Sequence, residues 1–284
     1  MTVRQHVLPI AVGIASCLML ATAVHTQETP GRMYNTAKQK LAQNQPIVGG
    51  TVSSPDADIY CAMANAGYDF LWIEMQHSPL TYQDVARMIW ACRGGGAIPF
   101  IRVPDASEGD IQKATDIGAL GIIVPMVTSA DKIEAAVKFA KYPPVGERSQ
   151  GGGQYRALWG DDYRATANDN IMVVAMIESP AGVAAADEIA AVPGVDVVFA
   201  ASTDLSSFTG WRQGEPDYEA LVTRIRDATQ RAGIELGGPQ AWMGRKAFSF
   251  FQGPGATSLI KLGVRTSLDS TPGGVAPTEG AGRR

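Results

Sequence analysis

Glu178 closes the apolar run IMVVAMIE, and Asp204 follows the apolar run VDVVFAAST. A carboxylate at the end of a buried strand packs poorly, because burying an unpaired charge costs on the order of several kcal/mol. Two such acids, one strand–helix unit apart, suggest oxygen ligands for one divalent cation. No His or Cys adjoins either residue. The donor set therefore favours Mg²⁺ or Mn²⁺, with Co²⁺ as a further candidate, over structural zinc. Two protein ligands leave positions open for water and a bidentate substrate. The competing reading makes both acids helix caps, Glu178 for a helix beginning near Ser179 and Asp204 for the turn DLSSF.

Three further segments carry chemistry. DFLWIEMQH ends in Glu74, Gln76 and His77, and PFIRVP carries Arg102. His6 and His25 belong to the N-terminal apolar region, so His77 is the sole histidine of the segment expected to fold. It is the candidate general base, with Glu74 or Gln76 orienting its ring. Arg102 at a strand end suits a carboxylate or a developing enolate. Lys261 in SLIKLG is a competing group, able to form a Schiff base if it lines a barrel.

These residues need a scaffold that gathers strand ends. PIVGGTVS, DFLWIEM, AIPFIRV, GIIVPMV, IMVVAMIE, VDVVFAA, IELGG and TSLIKLGV read as eight strands. Amphipathic stretches such as TYQDVARMIWACR and SADKIEAAVKFAK alternate with them, and AWMGRKAFSFF reads as a looser helical segment before the last strand. Near-continuous apolar strands alternating with helices imply a parallel sheet covered on both faces. Eight units over residues 45–268 predict a single-domain α/β chain, a TIM (β/α)8 barrel, with a doubly wound open sheet as the structural alternative. No G-x-G-x-x-G follows the first strand. In a barrel the carboxyl ends of the strands bring Glu74, Gln76, His77, Arg102, Glu178 and Asp204 to one mouth.

Residues 1–24 pair Arg4 with the apolar run VLPIAVGIASCLMLATAV and the small-residue site Ala21-Thr22-Ala23. This pattern predicts a cleaved signal peptide and export, to the periplasm. A retained membrane anchor or a lipoprotein box at Ile14–Cys17 is the competing reading. Residues 25–44 read as a linker and a short helix. DSTPGGVAPTEGAGRR, within 269–284, reads as a disordered tail in place of a closing helix. The loop ERSQGGGQYRALWG reads as irregular, a mobile lid or a subunit contact. Cys61 and Cys92 remain in the mature chain, and an oxidising compartment permits a disulfide. The net charge is −4. With no basic patch, nucleic acid is not an expected partner.

Taken together, DFLWIEMQHSP, PFIRVP, DIGALGIIVPMV, KYPPVGERSQGGG, MIESPAGV and GVDVVFAASTDLS resemble the HpcH/HpaI aldolase family, the metal-dependent pyruvate aldolases related to citrate lyase. The likeness runs from PIVGG to SLIKLG. It implies a TIM barrel, often assembled as a homo-oligomer. It also implies cleavage or formation of 4-hydroxy-2-oxo acids to or from pyruvate and an aldehyde. Glu178 and Asp204 match its metal ligands, His77 and Glu74 its base and helper, and Arg102 its enolate-contacting arginine. Thr203 and Asp204 match the carboxylate-binding turn, and Gln76 sits where the family often has Glu. Glu74 replaces a frequent Asp, and Ala201-Ser202-Thr203 departs from the usual Gly-Pro-Ala or Gly-Thr-Asn. The same residues leave room for an oxo-acid decarboxylase, a CoA-thioester lyase or a non-catalytic oxo-acid-binding barrel. A membrane enters only if the N-terminal segment is retained.

Overall fold

The computed structural model describes residues 1–2 and 31–270. The expected signal peptide and nearly all of the expected tail lie outside the described residues. Helix α1 (Thr36–Ala42) precedes strand β1 (Ile47–Val52). Then come α2 (Ala57–Ala64), β2 (Phe70–Glu74), α3 (Tyr82–Ala91), β3 (Ile98–Arg102), α4 (Glu108–Asp116), β4 (Gly121–Val124) and α5 (Ala130–Ala140). Two short helices, α6 (Tyr155–Trp159) and α7 (Tyr163–Asn170), lead to β5 (Met172–Ile177). The chain continues through α8 (Pro180–Ala184), α9 (Ala186–Ala190), β6 (Val197–Ala200), α10 (Ser202–Thr209), α11 (Pro216–Ala232) and β7 (Glu235–Pro239). It ends with β8 (Phe248–Gly255) and α12 (Ala256–Asp269).

The eight strands close in sequence order, and β8 pairs in parallel with β1. This is the predicted (β/α)8 barrel. β2, β3 and β5 are buried along their whole length, as the unbroken apolar runs require. Inside the barrel lies an aromatic layer. Phe70 stacks on Phe250 at 4.6 Å between ring centres and lies 4.8 Å from Phe100. Trp72 meets Phe199 at 5.2 Å. Neighbouring strands make room for these rings by lacking side chains. A Cβ on Gly49 would come within 2.2 Å of the Phe70 ring, and one on Gly121 within 2.1 Å of Phe100. Phe100 and Arg102 share a strand face, so this layer is the floor on which Arg102 stands.

Three sequence expectations change. TSLIKLGV is the body of helix α12, and the eighth strand is FSFFQGPG, part of which had read as helical. Short apolar runs of that length do not distinguish strand from helix. Phe250 decides it by packing against Phe70, Phe100 and Phe199 inside the barrel. A closing helix is therefore present. Ile260, Leu262, Val264 and Leu268 on α12 are exposed. The glycine-containing loop also holds α6 and is pinned rather than free. Arg148 is buried, bonding Asp116 at 2.8 Å and the Tyr163 hydroxyl at 2.9 Å. The Trp159 indole donates to the Gly118 carbonyl, just before β4, at 3.0 Å. The loop thus lies toward the amino ends of the strands, and is no lid over the mouth at their carboxyl ends.

The same end is sealed by Asn35, which caps α1 and donates to the carbonyls of Leu120 and Asn170. Cys61 and Cys92 are free thiols, and burial pushes the Cys61 thiol up to about 11. No helix among the described residues is long and apolar enough to cross a membrane.

The floor generates a stability test. Gly121→Ala forces a methyl group into the Phe100 ring and is expected to cost about 1–3 kcal/mol, the usual range for overpacking. Gly109, whose added Cβ would meet nothing within 4 Å, is the control. Urea unfolding should separate the two variants.

Candidate active site

Arg102 sits between two acids from different strands. Its Nη1 is 3.2 Å from Glu74 Oε2 on β2, and its Nη2 is 3.3 Å from both carboxylate oxygens of Glu178, just past β5. The register pairs Glu74 directly with Arg102. All three side chains are buried. Arg102 Nε has no hydrogen-bond partner although it too is buried. Such a donor is expensive to leave unused.

Glu178 is not a helix cap. Ser179 caps α8, accepting from the Gly182 N–H at 3.3 Å, which frees Glu178 to turn inward. Its Oε1 also accepts the Met126 N–H at 2.8 Å. Met126 reaches this position with φ of 50°, a left-handed backbone that a non-glycine residue adopts at a cost. Burial pushes the Glu178 carboxyl up to about 7. Arg102 and the Met126 N–H oppose that rise, whereas the neighbouring Asp204 carboxyl adds to it.

Asp204 comes from the first turn of α10, whose N-cap residue, Ala201, supplies no side-chain acceptor. It is therefore no cap either, and it meets Glu178 as the paired-acid reading requires. Glu74 and Glu178 contact Arg102, and Asp204 neighbours Glu178, so the acids of this cluster outnumber its one guanidinium. The charge balance and the oxygen donors fit a divalent cation on Glu178 and Asp204. Among the described residues no group of three or more His, Cys, Asp and Glu is arranged to hold a metal ion, and the candidate ligands remain the pair Glu178 and Asp204.

The expected link from Glu74 to the His77 ring is corrected. Glu74 Oε1 accepts the backbone N–H groups of Gln76 and His77 at 2.8 and 3.0 Å. Its Oε2 accepts the Trp72 indole and Arg102, both at 3.2 Å. These four donors hold the carboxylate under the β2–α3 turn, so it fixes the His77 backbone and not the imidazole. The imidazole has no hydrogen-bond partner among the described residues. Gln76 Oε1 is buried and unpartnered.

A cavity of about 410 Å³ opens at the carboxyl ends of the strands. His77, Arg102, Thr203 and Asp204 line it together, with Met176 and Phe199 among its apolar walls. Glu74 and Glu178 lie behind Arg102, and Gln76 is outside the lining. Lys261 is exposed on helix α12 and is not among the residues that line the cavity, which removes the Schiff-base reading. Sequence reasoning missed Met126, Ser202, Pro239 and Gln252. Gln252 was hidden by the misplaced eighth strand, although a polar residue before Gly253-Pro254 at a strand end is a usable signal. Met126 acts through its backbone, for which its residue type gives no sign.

Residues 52–243 match the family model described as HpcH/HpaI aldolase/citrate lyase. The chain belongs to this family. A 2-keto-3-deoxy-L-rhamnonate aldolase of Escherichia coli O1:K1 is 32% identical over 245 residues, spanning 83% of this chain and 89% of the relative. The crystal structure of a family member from Burkholderia cenocepacia J2315 superposes with a TM-score of 0.76 at 29% identity, covering 83% of this chain and 98% of that one. A family aldolase from Desulfitobacterium hafniense DCB-2 gives 0.73 at 26% identity, over 84% and 98%. The chain is thus an enzyme of the carbon–carbon lyase class, an aldolase by family.

The raised Glu178 carboxyl predicts proton-linked cation binding. A cation needs this group ionised, so apparent Mn²⁺ affinity should rise with pH up to about 7 and level off above it. Below 7, binding should release a proton. Titration calorimetry in buffers of differing ionisation enthalpy reads both effects, and Glu178→Gln should abolish both. For the metal-free chain the sign reverses. The raised carboxyl favours the fold at low pH, and that contribution is lost as pH rises through about 7.

Proposed function

We propose that the chain is a metal-dependent aldolase that interconverts a 4-hydroxy-2-oxo acid with pyruvate and an aldehyde. The observation that carries this reading is Arg102, fixed by two buried acids with its Nε–H unspent, lining one cavity with His77 and Asp204. A divalent cation held by Glu178 and Asp204 would supply Lewis-acid polarisation of the 2-oxo group. Mg²⁺, Mn²⁺ and Co²⁺ all suit the oxygen donors.

The residues of the chain do the rest. The N-terminal turn of α10, with Ser202 and Thr203 on the cavity wall, offers uncapped backbone N–H groups to the substrate carboxylate. The His77 imidazole, free of other partners, takes the proton of the 4-hydroxyl directly or through one water. The C3–C4 bond then breaks. Its electron pair goes to the three-carbon fragment as an enolate, and C4 leaves as the aldehyde carbonyl. Arg102 lines the cavity with its guanidinium already oriented by Glu74 and Glu178, so facing the developing negative charge needs little reorganisation. Protonation at C3 completes pyruvate.

The relatives named for 2-keto-3-deoxy-L-rhamnonate support a sugar-derived oxo acid as the substrate class. Pyruvate release from a panel of 4-hydroxy-2-oxo acids is the direct test. EDTA should abolish turnover and Mn²⁺, Mg²⁺ or Co²⁺ restore it. His77→Ala should lower kcat by about 10²–10⁴-fold, the range for general-base loss, with oxo-acid binding retained. Full activity in metal-free protein would sink the mechanism, and so would covalent trapping by borohydride with pyruvate.

The composition of residues 1–24 supports export, and the exposed apolar residues of α12 support a homo-oligomer. Native mass spectrometry of material from the periplasmic fraction tests both. The expected species is a multiple of a subunit lacking about the first 24 residues, and a full-length monomer would overturn both.

A further inference from the structure

We propose that Gln252 is the residue that selects the aldehyde half of the substrate, recognising a hydroxyl group beyond C4. This inference rests on the aldolase reading and deepens it. Gln252 lies on β8 at the same strand parity as Phe250, whose ring packs inside the barrel against Phe70, Phe100 and Phe199. It therefore faces the mouth one step above the aromatic floor, and it lines the cavity with His77, Arg102 and Asp204.

The polar ends of that cavity have separate tasks. Arg102 and the backbone N–H groups at the start of α10, with a cation that Glu178 and Asp204 would hold, serve the carboxylate and 2-oxo group, and His77 takes the 4-hydroxyl. β8 sits three strands round the closed barrel from β3 and from β5, across the mouth from Arg102 and Glu178. On that side the cavity is lined by Pro239 and Gln252. Proline offers no donor, and its ring is apolar, so Gln252 is the side chain there that can both donate and accept.

Its amide is also oriented. Thr51 Oγ1 donates to the Gly253 carbonyl at 3.0 Å, which commits the hydroxyl hydrogen. The same oxygen then accepts from Gln252 Nε2, at the long distance of 3.4 Å. That contact turns the nitrogen toward β1 and leaves Gln252 Oε1 and its second N–H without partners among the described residues. A donor and an acceptor side by side match a hydroxyl and gain nothing from a methyl or methylene group. A site that hydrogen-bonds a substrate hydroxyl also discriminates strongly against an analogue lacking it, because its own polar groups are then left unpaired.

Aldol addition of pyruvate to glyceraldehyde and to propanal, which have equal carbon counts, tests the inference. The wild-type chain should favour glyceraldehyde in kcat/KM by at least about tenfold. In Gln252→Met, close to glutamine in length, that ratio should collapse by about 10–100-fold. Thr51→Val, which releases the amide and also removes the donor to the Gly253 carbonyl, should lower the ratio by a smaller factor. An unchanged ratio in Gln252→Met, or no preference in the wild type, would overturn the assignment. If neither aldehyde reacts, the aldolase reading has failed on its own. Calorimetric affinities for 4-hydroxy-2-oxohexanoate and its 4,5,6-trihydroxy analogue then decide the role of Gln252. A preference for the trihydroxy acid that disappears in Gln252→Met sustains it, and an equal preference in both proteins overturns it.

Discussion

The mouth of the barrel depends on one buried guanidinium held by two buried carboxylates. Arg102 alone would be a charge in an apolar interior, and so would Glu74 or Glu178. Together they satisfy one another, yet they do not cancel, because Asp204 adds a third carboxylate against Glu178. Buried ion pairs contribute little net stability, but removing one partner typically costs about 3–5 kcal/mol. The cluster is therefore better understood as a device for orientation than as a source of stability. Arg102 cannot swing away without stranding two acids, and the Glu178 carboxyl, pushed up to about 7 by burial, ionises more readily when more positive charge is at hand.

The cluster is possible because its members arise from strands whose geometry is set from below. Phe70, Phe100, Phe199 and Phe250 fill the barrel, and Gly49 and Gly121 give two of those rings their space. With the floor closed, the next residues of each inward face must point into the mouth. Glu74 follows Trp72, Arg102 follows Phe100, and Gln252 follows Phe250 on their faces. Packing the apolar layer thus places the polar layer, which is why a strand-period reading of sequence can anticipate it.

That reading located most of the scaffold. Seven of the eight strands were legible as apolar runs, since strands buried on both faces leave little else for those segments to be. β8 was not legible, because Gly253, Pro254 and Gly255 break the run that Phe250 and Phe251 begin. α12 had competed for the same role because Leu259, Ile260 and Leu262 stand close together in sequence. In space they divide, with Leu259 packed against the core and the other two in solvent. Helix α6 inside the glycine loop was obscured by a composition that favours turns. At the site, their positions at strand ends marked Arg102 and Glu178 as converging, and the Ser179 cap explains why Glu178 was free to do so. Contacts made by backbone atoms, above all the Met126 N–H, carry no signature in residue type.

The position of Glu74 bears on how His77 can act. A carboxylate bonded to an imidazole nitrogen selects its tautomer and raises its basicity. Here the carboxylate is spent on two backbone N–H groups, an indole and Arg102, and the ring makes no such bond. Glu74 therefore contributes a rigid turn, fixing where the His77 Cα sits, while the imidazole keeps the freedom to rotate at an exposed rim. An unpartnered imidazole can accept a proton from a hydroxyl below it and pass it to water above it without first breaking a bond to a carboxylate. On this geometry the turn supplies position, the solvent supplies the exit for the proton, and Arg102 supplies the fixed charge against which the reacting carbons are held.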